Sequence, residues 1–352
     1  MLKKVLMKGN EAIAEAAIQA GCRHYFGYPI TPQTEIAAYM ASKLPDVGGV
    51  FLQAESEISA INMVYGAASA GVRTMTSSSS PGISLKQEGL SYIAGSELPC
   101  VVVNVMRGGP GLGGILPSQS DYFQAVKGGG HGDYRMIVLA PFSVQEMYDL
   151  TYESFNLADV YRIAVMILAD GHLGQVMEPI EINKRTKVEL IQKKWAVNGT
   201  KCERTHNIIT SLFIVGEELE QHNIRLQDKY TTISDAEVRY EMYNCEDAEI
   251  IIVAYGSVAR IAKEVIRLAG LEGLKVGLLR PISLWPFPSN IIRQLSEEVK
   301  AFLVVEMSTG QMLEDVKLAV NGNKEVFFHG RTGGMVPHKE DILKNIRLII
   351  SN

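Results

Sequence analysis

Two carboxylates, Glu55 and Glu57, open the stretch from Gln53 to Gly71, QAESEISAINMVYGAASAG. From Ile58 onward this stretch carries no formal charge. Glu57 therefore stands at the mouth of an apolar helix, where desolvation raises a carboxyl pKa and lets the group keep a proton at neutral pH. Read alone, it fits better as a first-turn anion complementing the helix dipole. Thr31 precedes Pro32, which suits a helix N-cap followed by proline at the first helical position. Its hydroxyl would also sit beside an anion-friendly helix start. Arg107 ends an apolar run just before a glycine-rich loop. Ligands of parallel sheets bind at strand C-termini, and an arginine there suits a planar carboxylate held bidentately. The plainer reading of Arg107 is a solvated strand-end charge.

Three further patterns carry less. Gly109 to Gly114 matches GxGxxG, with Asp133 downstream, but a dinucleotide fingerprint must open a helix. Pro110 and Pro117 argue against one here. Ala169-Asp170-Gly171, with Asn198 further on, has the spacing of a magnesium–diphosphate motif without its first glycine; a strand-end turn explains it as well. Gly128 to Asp133 (GGGHGD) could bend around an anion, yet His131 has no visible nucleophile partner and no GxSxG elbow exists.

The elements that must position Thr31, Glu57 and Arg107 alternate between strand and helix. Asn10 is expected to cap a helix through Gln19, and His24–Tyr28 reads as a strand. Helix is expected over Thr34–Leu44, strand over Gly48–Gln53, and helix over Ile58–Ser69. A strand Val72–Thr76 leads into Ser77-Ser78-Ser79-Ser80-Pro81-Gly82, and a helix over Ser84–Ala94 follows. Cys100–Met106 (CVVVNVM) is β-branched without polar alternation, the pattern of a central parallel strand covered on both faces. Arg135–Ala140 and Ile163–Ala169 read as strands. Ser143 to Glu146 reads as a capping box opening a long helix. The alternation predicts a parallel α/β domain over 1–182. Residues 183–247, with the basic clusters KRTK and QKKW, read as a connector carrying some helix. A second α/β unit covers 248–352, with LWPFP (Leu284 to Pro288) as a turn.

The totals exclude some classes. The 352 residues suffice for two domains, and 47% apolar with 21% charged residues is ordinary for a globular protein. A net charge of -5 offers no basic surplus for nucleic acid. No run approaches the ~20 apolar residues that span a bilayer, and Lys8, Asn10 and Glu11 interrupt the N-terminus too early for a signal peptide. A cytoplasmic location is expected. Cys22, Cys100, Cys202 and Cys245 form no CxxC, so a zinc or iron–sulfur site held by this chain alone is not expected.

Taken in order, GYPITP (Gly27 to Pro32), QAESEISA (Gln53 to Ala60), MTSSSSPGISLKQEG (Met75 to Gly89), ELPCVVVNVMRGGPG (Glu97 to Gly111) and PSQSDY (Pro117 to Tyr122) resemble the α subunits of the 2-oxoacid:ferredoxin oxidoreductases. The resemblance spans the whole chain. It implies a pyrimidine-binding thiamine-type domain followed by a transketolase C-terminal-like α/β domain. Within the family the chain is most similar to α subunits acting on 3-methyl-2-oxobutanoate, with those of 2-oxoglutarate enzymes next. By resemblance, Glu57 bonds the aminopyrimidine N1′ of thiamine diphosphate, and Thr31 and Arg107 flank the substrate carboxylate and carbonyl. Tyr28, Pro29 and Ile30 line the pyrimidine side, Ser78, Ser79 and Ser80 form the adjacent turn, and Glu55 is a helix-start partner. The implied reaction is oxidative decarboxylation to an acyl-coenzyme A, with electrons passed to ferredoxin. The implied partners are a β subunit bringing the diphosphate domain, Mg2+ and a [4Fe-4S] cluster, with γ and ferredoxin-like subunits. A thiamine-type subunit that passes no electrons and a non-catalytic α/β binding module are the competing readings.

Overall fold

The computed structural model describes residues 4–182 and 190–351. The KRTK cluster of the expected connector lies outside the described residues.

Seven strands form one sheet, in the spatial order Ser283–Trp285, Ile137–Leu139, Ala164–Asp170, Cys100–Met106, Thr74–Ser78, His24–Gly27 and Val50–Gln53. All but the first pair in parallel. Cys100–Met106 lies between two parallel neighbours with every residue buried, which is why its sequence lacks polar alternation. A second sheet runs Glu325–Gly330, Ala301–Glu306, Ile250–Val253, Val276–Pro281 and Tyr240–Tyr243, the last antiparallel. Helices cover both sheets, as parallel crossovers require. No described helix is long and apolar enough to cross a membrane.

Several expectations change. Lys8, not Asn10, precedes the first helix, Gly9–Gln19. Glu11 Oε2 accepts from the Lys8 N–H at 3.0 Å, while Asn10 is fully buried and donates to the Pro32 carbonyl at 2.8 Å. That second bond also explains why Thr31 is not a cap. The Pro32 carbonyl accepts from Asn10 and, at 3.1 Å, from Gln175, so the chain turns there and the helix begins only at Thr34, after Gln33. The expected helix over Ser84–Ala94 is two helices, Ser80–Leu85 and Gln87–Gly95, joined at Lys86. The LWPFP turn begins as strand: Ser283–Trp285 leaves its own unit and pairs with Ile137–Leu139. Short pairing of this kind leaves no periodic trace in three residues.

The 21-residue helix Gly216–Ala236 lies in the expected connector. Its buried residues His222, Leu226, Tyr230 and Ile233 repeat at helical spacing, one stripe facing the core. Tyr240–Tyr243 then closes the edge of the second sheet. Gln119 is one of the residues that bond the two units to one another. Its Nε2 donates to the Tyr255 carbonyl at 2.9 Å, its Oε1 accepts from the Met307 N–H at 2.9 Å, and its own N–H donates to the Met307 carbonyl at 2.8 Å.

Candidate active site

Four neighbouring parallel strands end side by side, and each expected site residue ends or follows one of them, Ser78 closing its strand. Tyr28 to Thr31 follow His24–Gly27, Glu57 follows Val50–Gln53, Ser79 and Ser80 follow Thr74–Ser78, and Arg107 follows Cys100–Met106. Sheet topology, rather than sequence proximity, assembles them.

Glu57 is the first residue of the helix Glu57–Ser69, capped by Ser56, whose Oγ accepts from the Ser59 N–H at 3.2 Å. Glu57 is only 6% exposed. Glu55 turns outward and accepts from Ser59 Oγ at 2.6 Å. The Glu57 carboxyl lies against Gly82: a Cβ there would stand 2.6 Å from Glu57 Oε1 and 2.0 Å from Ser78 Oγ. Only a residue without a side chain leaves that space. Among the described residues, the buried Ser78 and Ser79 hydroxyls have no hydrogen-bond partner. Unpartnered buried hydroxyls next to a buried carboxyl are groups that a polar ligand can complete.

Arg107 is also buried. Ser80 Oγ donates to its carbonyl at 3.2 Å and accepts from its N–H at 3.0 Å, fixing its backbone. Nη1 donates to the Thr31 carbonyl at 3.0 Å and Nη2 to the Leu112 carbonyl at 3.2 Å, whereas Nε has no partner among the described residues. So Arg107 and Thr31 are brought together, but through the Thr31 backbone and not its hydroxyl. No hydrogen bond among the described residues joins either of them to Glu57. Tyr28, Pro29 and Thr31 are exposed. The loop after Arg107 closes on itself through Gly114 N–H to the Gly108 carbonyl at 2.9 Å and opens no helix.

The sequence reading passed over the residues that hold this arrangement. Gln33 is fully buried; Ser77 Oγ donates to its Oε1 at 2.5 Å, and its Nε2 donates to the Tyr28 carbonyl at 3.3 Å. Asp121 accepts from Ser80 Oγ at 2.6 Å and from Asn104 Nδ2 at 2.9 Å, and burial pushes its carboxyl above the usual range. Asn104 was the visible signal, a lone amide in the CVVVNVM run. Lys86, fully buried, donates to the Glu57 carbonyl at 3.4 Å. Ser80 and Asp121 also line a cleft of about 680 Å³ between the two units, with Gly108, Ser118, Met307 and Gln311 on its walls. Asp170, discounted as a metal ligand, instead caps the short helix Gly171–Gln175 and accepts from the Ser257 N–H at 3.2 Å.

Buried acid, orphan hydroxyls and a strand-end arginine thus lie at the C-terminal edge of a parallel sheet, where ligands of such sheets bind. Two family models match the chain. Residues 15–245 match pyruvate flavodoxin/ferredoxin oxidoreductase, thiamine diphosphate-binding, and residues 248–342 match pyruvate:ferredoxin oxidoreductase core domain II. The chain belongs to this oxidoreductase family. It is 55% identical over 344 residues to the ketoisovalerate oxidoreductase subunit VorB of Methanothermobacter marburgensis, covering 98% of this chain and 97% of that one. It is 37% identical over 367 residues to the 2-oxoglutarate synthase subunit KorA of Methanocaldococcus jannaschii, covering 97% and 98%. A solved 2-oxoglutarate:ferredoxin oxidoreductase from Magnetococcus marinus, with 2-oxoglutarate, coenzyme A and succinyl-CoA bound, superposes with a TM-score of 0.87 at 30% identity. The match covers 99% of this chain and 65% of that one, so this chain spans about two thirds of that longer polypeptide. A split-gene transketolase at 11% identity, TM-score 0.61, shares the fold alone.

Proposed function

We propose that this chain is the α subunit of a thiamine diphosphate-dependent 2-oxoacid:ferredoxin oxidoreductase whose 2-oxoacid is 3-methyl-2-oxobutanoate. The observation that carries the reading is the buried Glu57 carboxyl, packed with Ser78 Oγ against Gly82, together with the unpartnered hydroxyls of Ser78 and Ser79. The branched-chain assignment follows the higher identity to the ketoisovalerate subunit than to the 2-oxoglutarate subunits.

Thiamine diphosphate, when bound, supplies the nucleophilic carbon and electron sink that cleavage beside a 2-oxo group needs. Glu57 would hold its pyrimidine at N1′ as the group that gives and takes a proton. Ser78 and Ser79 would supply hydrogen bonds to the same ring, and Tyr28, Pro29 and Ile30 would cover it. Arg107 presents its free Nε–H and the remaining Nη hydrogens to the substrate carboxylate. Thr31 and Leu112 keep the guanidinium aimed through their carbonyls, and Ser80 keeps the backbone beneath it still. Gln33 anchors the Tyr28 turn. The partner subunits bring the diphosphate clamp with Mg2+ and the [4Fe-4S] clusters; coenzyme A takes the acyl group and ferredoxin the electrons. The complex works in the cytoplasm, consistent with four unpaired cysteines.

The test is reconstitution with the β, γ and ferredoxin-like subunits and a panel of 2-oxoacids. Thiamine-dependent ferredoxin reduction should be fastest with 3-methyl-2-oxobutanoate and should fall about 10²-fold or more in Glu57→Gln. Preference for 2-oxoglutarate would move the assignment to that substrate. Full activity of Glu57→Gln would overturn the reading.

A further inference from the structure

Lys86 is a charged residue at the site whose chemistry the proposed function leaves unused. It joins the helices Ser80–Leu85 and Gln87–Gly95, and its side chain has no solvent exposure. A buried ammonium is costly unless an opposite charge and hydrogen bonds compensate it. Its Nζ carries three donors, and the hydrogen bond it makes goes to the Glu57 carbonyl at 3.4 Å. The helix Glu57–Ser69 packs against both helices that Lys86 joins. On those neighbouring elements, Glu88 and Tyr92 bond one another at the surface, and Tyr134 donates to Gln87 Oε1 at 3.4 Å. Among the described residues, Glu57 is the charged group that acts on Lys86. Burial pulls the ammonium down to about 8, against the upward effect of the Glu57 charge.

We propose that Lys86 is a positioning residue for Glu57: its ammonium anchors the opening turn of that helix and balances the buried carboxylate, so that proton exchange between Glu57 and the pyrimidine depends on Lys86. The inference rests on the proposed function of the site. Lys86 touches neither substrate nor cofactor in this assignment; it acts through Glu57. While it is charged, Glu57 faces a compensating cation. Once it loses its proton, that compensation ends.

The experiment uses the assembled complex with Lys86→Met and Lys86→Arg. Its readouts are the pH profile of hydrogen exchange at C2 of bound thiamine diphosphate, the cofactor dissociation constant and the melting temperature. Wild type should show an ionisation near pH 8 in the exchange profile. Lys86→Met should lose it and exchange at least tenfold more slowly at neutral pH. Lys86→Arg, which stays charged, should lose the ionisation yet keep most of the neutral-pH rate. A Lys86→Met profile that superimposes on wild type overturns the inference. If Lys86→Met unfolds, the Lys86→Met/Glu57→Gln pair decides: recovery of the melting temperature supports charge balance, and continued unfolding overturns it. A wild-type complex without C2 exchange would instead defeat the functional reading.

Discussion

One methyl group at Gly82 should separate the site from the fold. Gly82 lies inside the helix Ser80–Leu85, so alanine meets no backbone strain and gains about 1 kcal/mol of helix propensity. The added Cβ would stand 2.0 Å from Ser78 Oγ and 2.6 Å from Glu57 Oε1, both impossible contacts. Both atoms are side-chain ends that can swing aside, at about 0.5–1.5 kcal/mol each if they leave their rotamers. The net stability change of Gly82→Ala should therefore stay within about 2 kcal/mol, a shift of a few degrees in melting temperature. On the proposed function, the displaced Glu57 carboxyl should then miss the pyrimidine nitrogen. Loss of a positioned acid costs about 10²-fold or more, or roughly 2.7 kcal/mol at the transition state. Gly89→Ala is the contrast: its Cβ would meet Ile61 Cγ2 at 2.5 Å and Cβ at 3.2 Å, in the core, against a stiff β-branched side chain. That variant should lose about 1–3 kcal/mol of stability by overpacking. Calorimetric titration with thiamine diphosphate and initial rates on the reconstituted complex read the first effect, and thermal melting reads the second. Ser78→Ala/Gly82→Ala should recover part of the lost affinity, because the nearer clash is gone. Wild-type affinity and rate in Gly82→Ala would refute the placement of the cofactor against Glu57.

Two more outcomes follow from the residues that hold the site. Gln33→Leu should cost about 1–3 kcal/mol, because it strips the Tyr28 carbonyl of its donor and Ser77 of an acceptor; denaturant unfolding and a weaker thiamine diphosphate Kd would show it. Asp121→Asn keeps both hydrogen bonds and removes a buried charge. Since burial raises the Asp121 pKa, the native state binds the extra proton above the unfolded value of ~3.9, and stability from this group is lost as pH rises through the native pKa. The stability difference between Asp121→Asn and wild type should accordingly be small at acid pH and favour asparagine increasingly toward neutrality. Asp121→Ala, which leaves Ser80 Oγ and Asn104 Nδ2 without their acceptor, should instead lose about 1–3 kcal/mol; melting curves across pH 5 to 8 compare the three.

What the sequence determined by itself were the features that local chemistry encodes. The Cys100–Met106 strand was legible because a residue buried on both faces must be apolar at every position, and the sequence shows it. The helix after Glu57 was legible from its small apolar residues, and the Ser143 cap from its spacing: Ser143 Oγ accepts from the Glu146 N–H at 3.2 Å. The motifs in order carried the family. Tertiary structure alone decided what depends on contacts distant in the chain. Thr31 looks like a cap until Asn10 and Gln175 claim the Pro32 carbonyl, and Ser283–Trp285 reads as a turn until it finds Ile137–Leu139. The partner of Lys86 is not encoded in SLKQEG, and only the packing of the Glu57–Ser69 helix over it shows a buried ammonium on the Glu57 carbonyl. The reason is physical: periodicity reports whether a side chain is buried, whereas the partner it meets there is set by which strands end side by side.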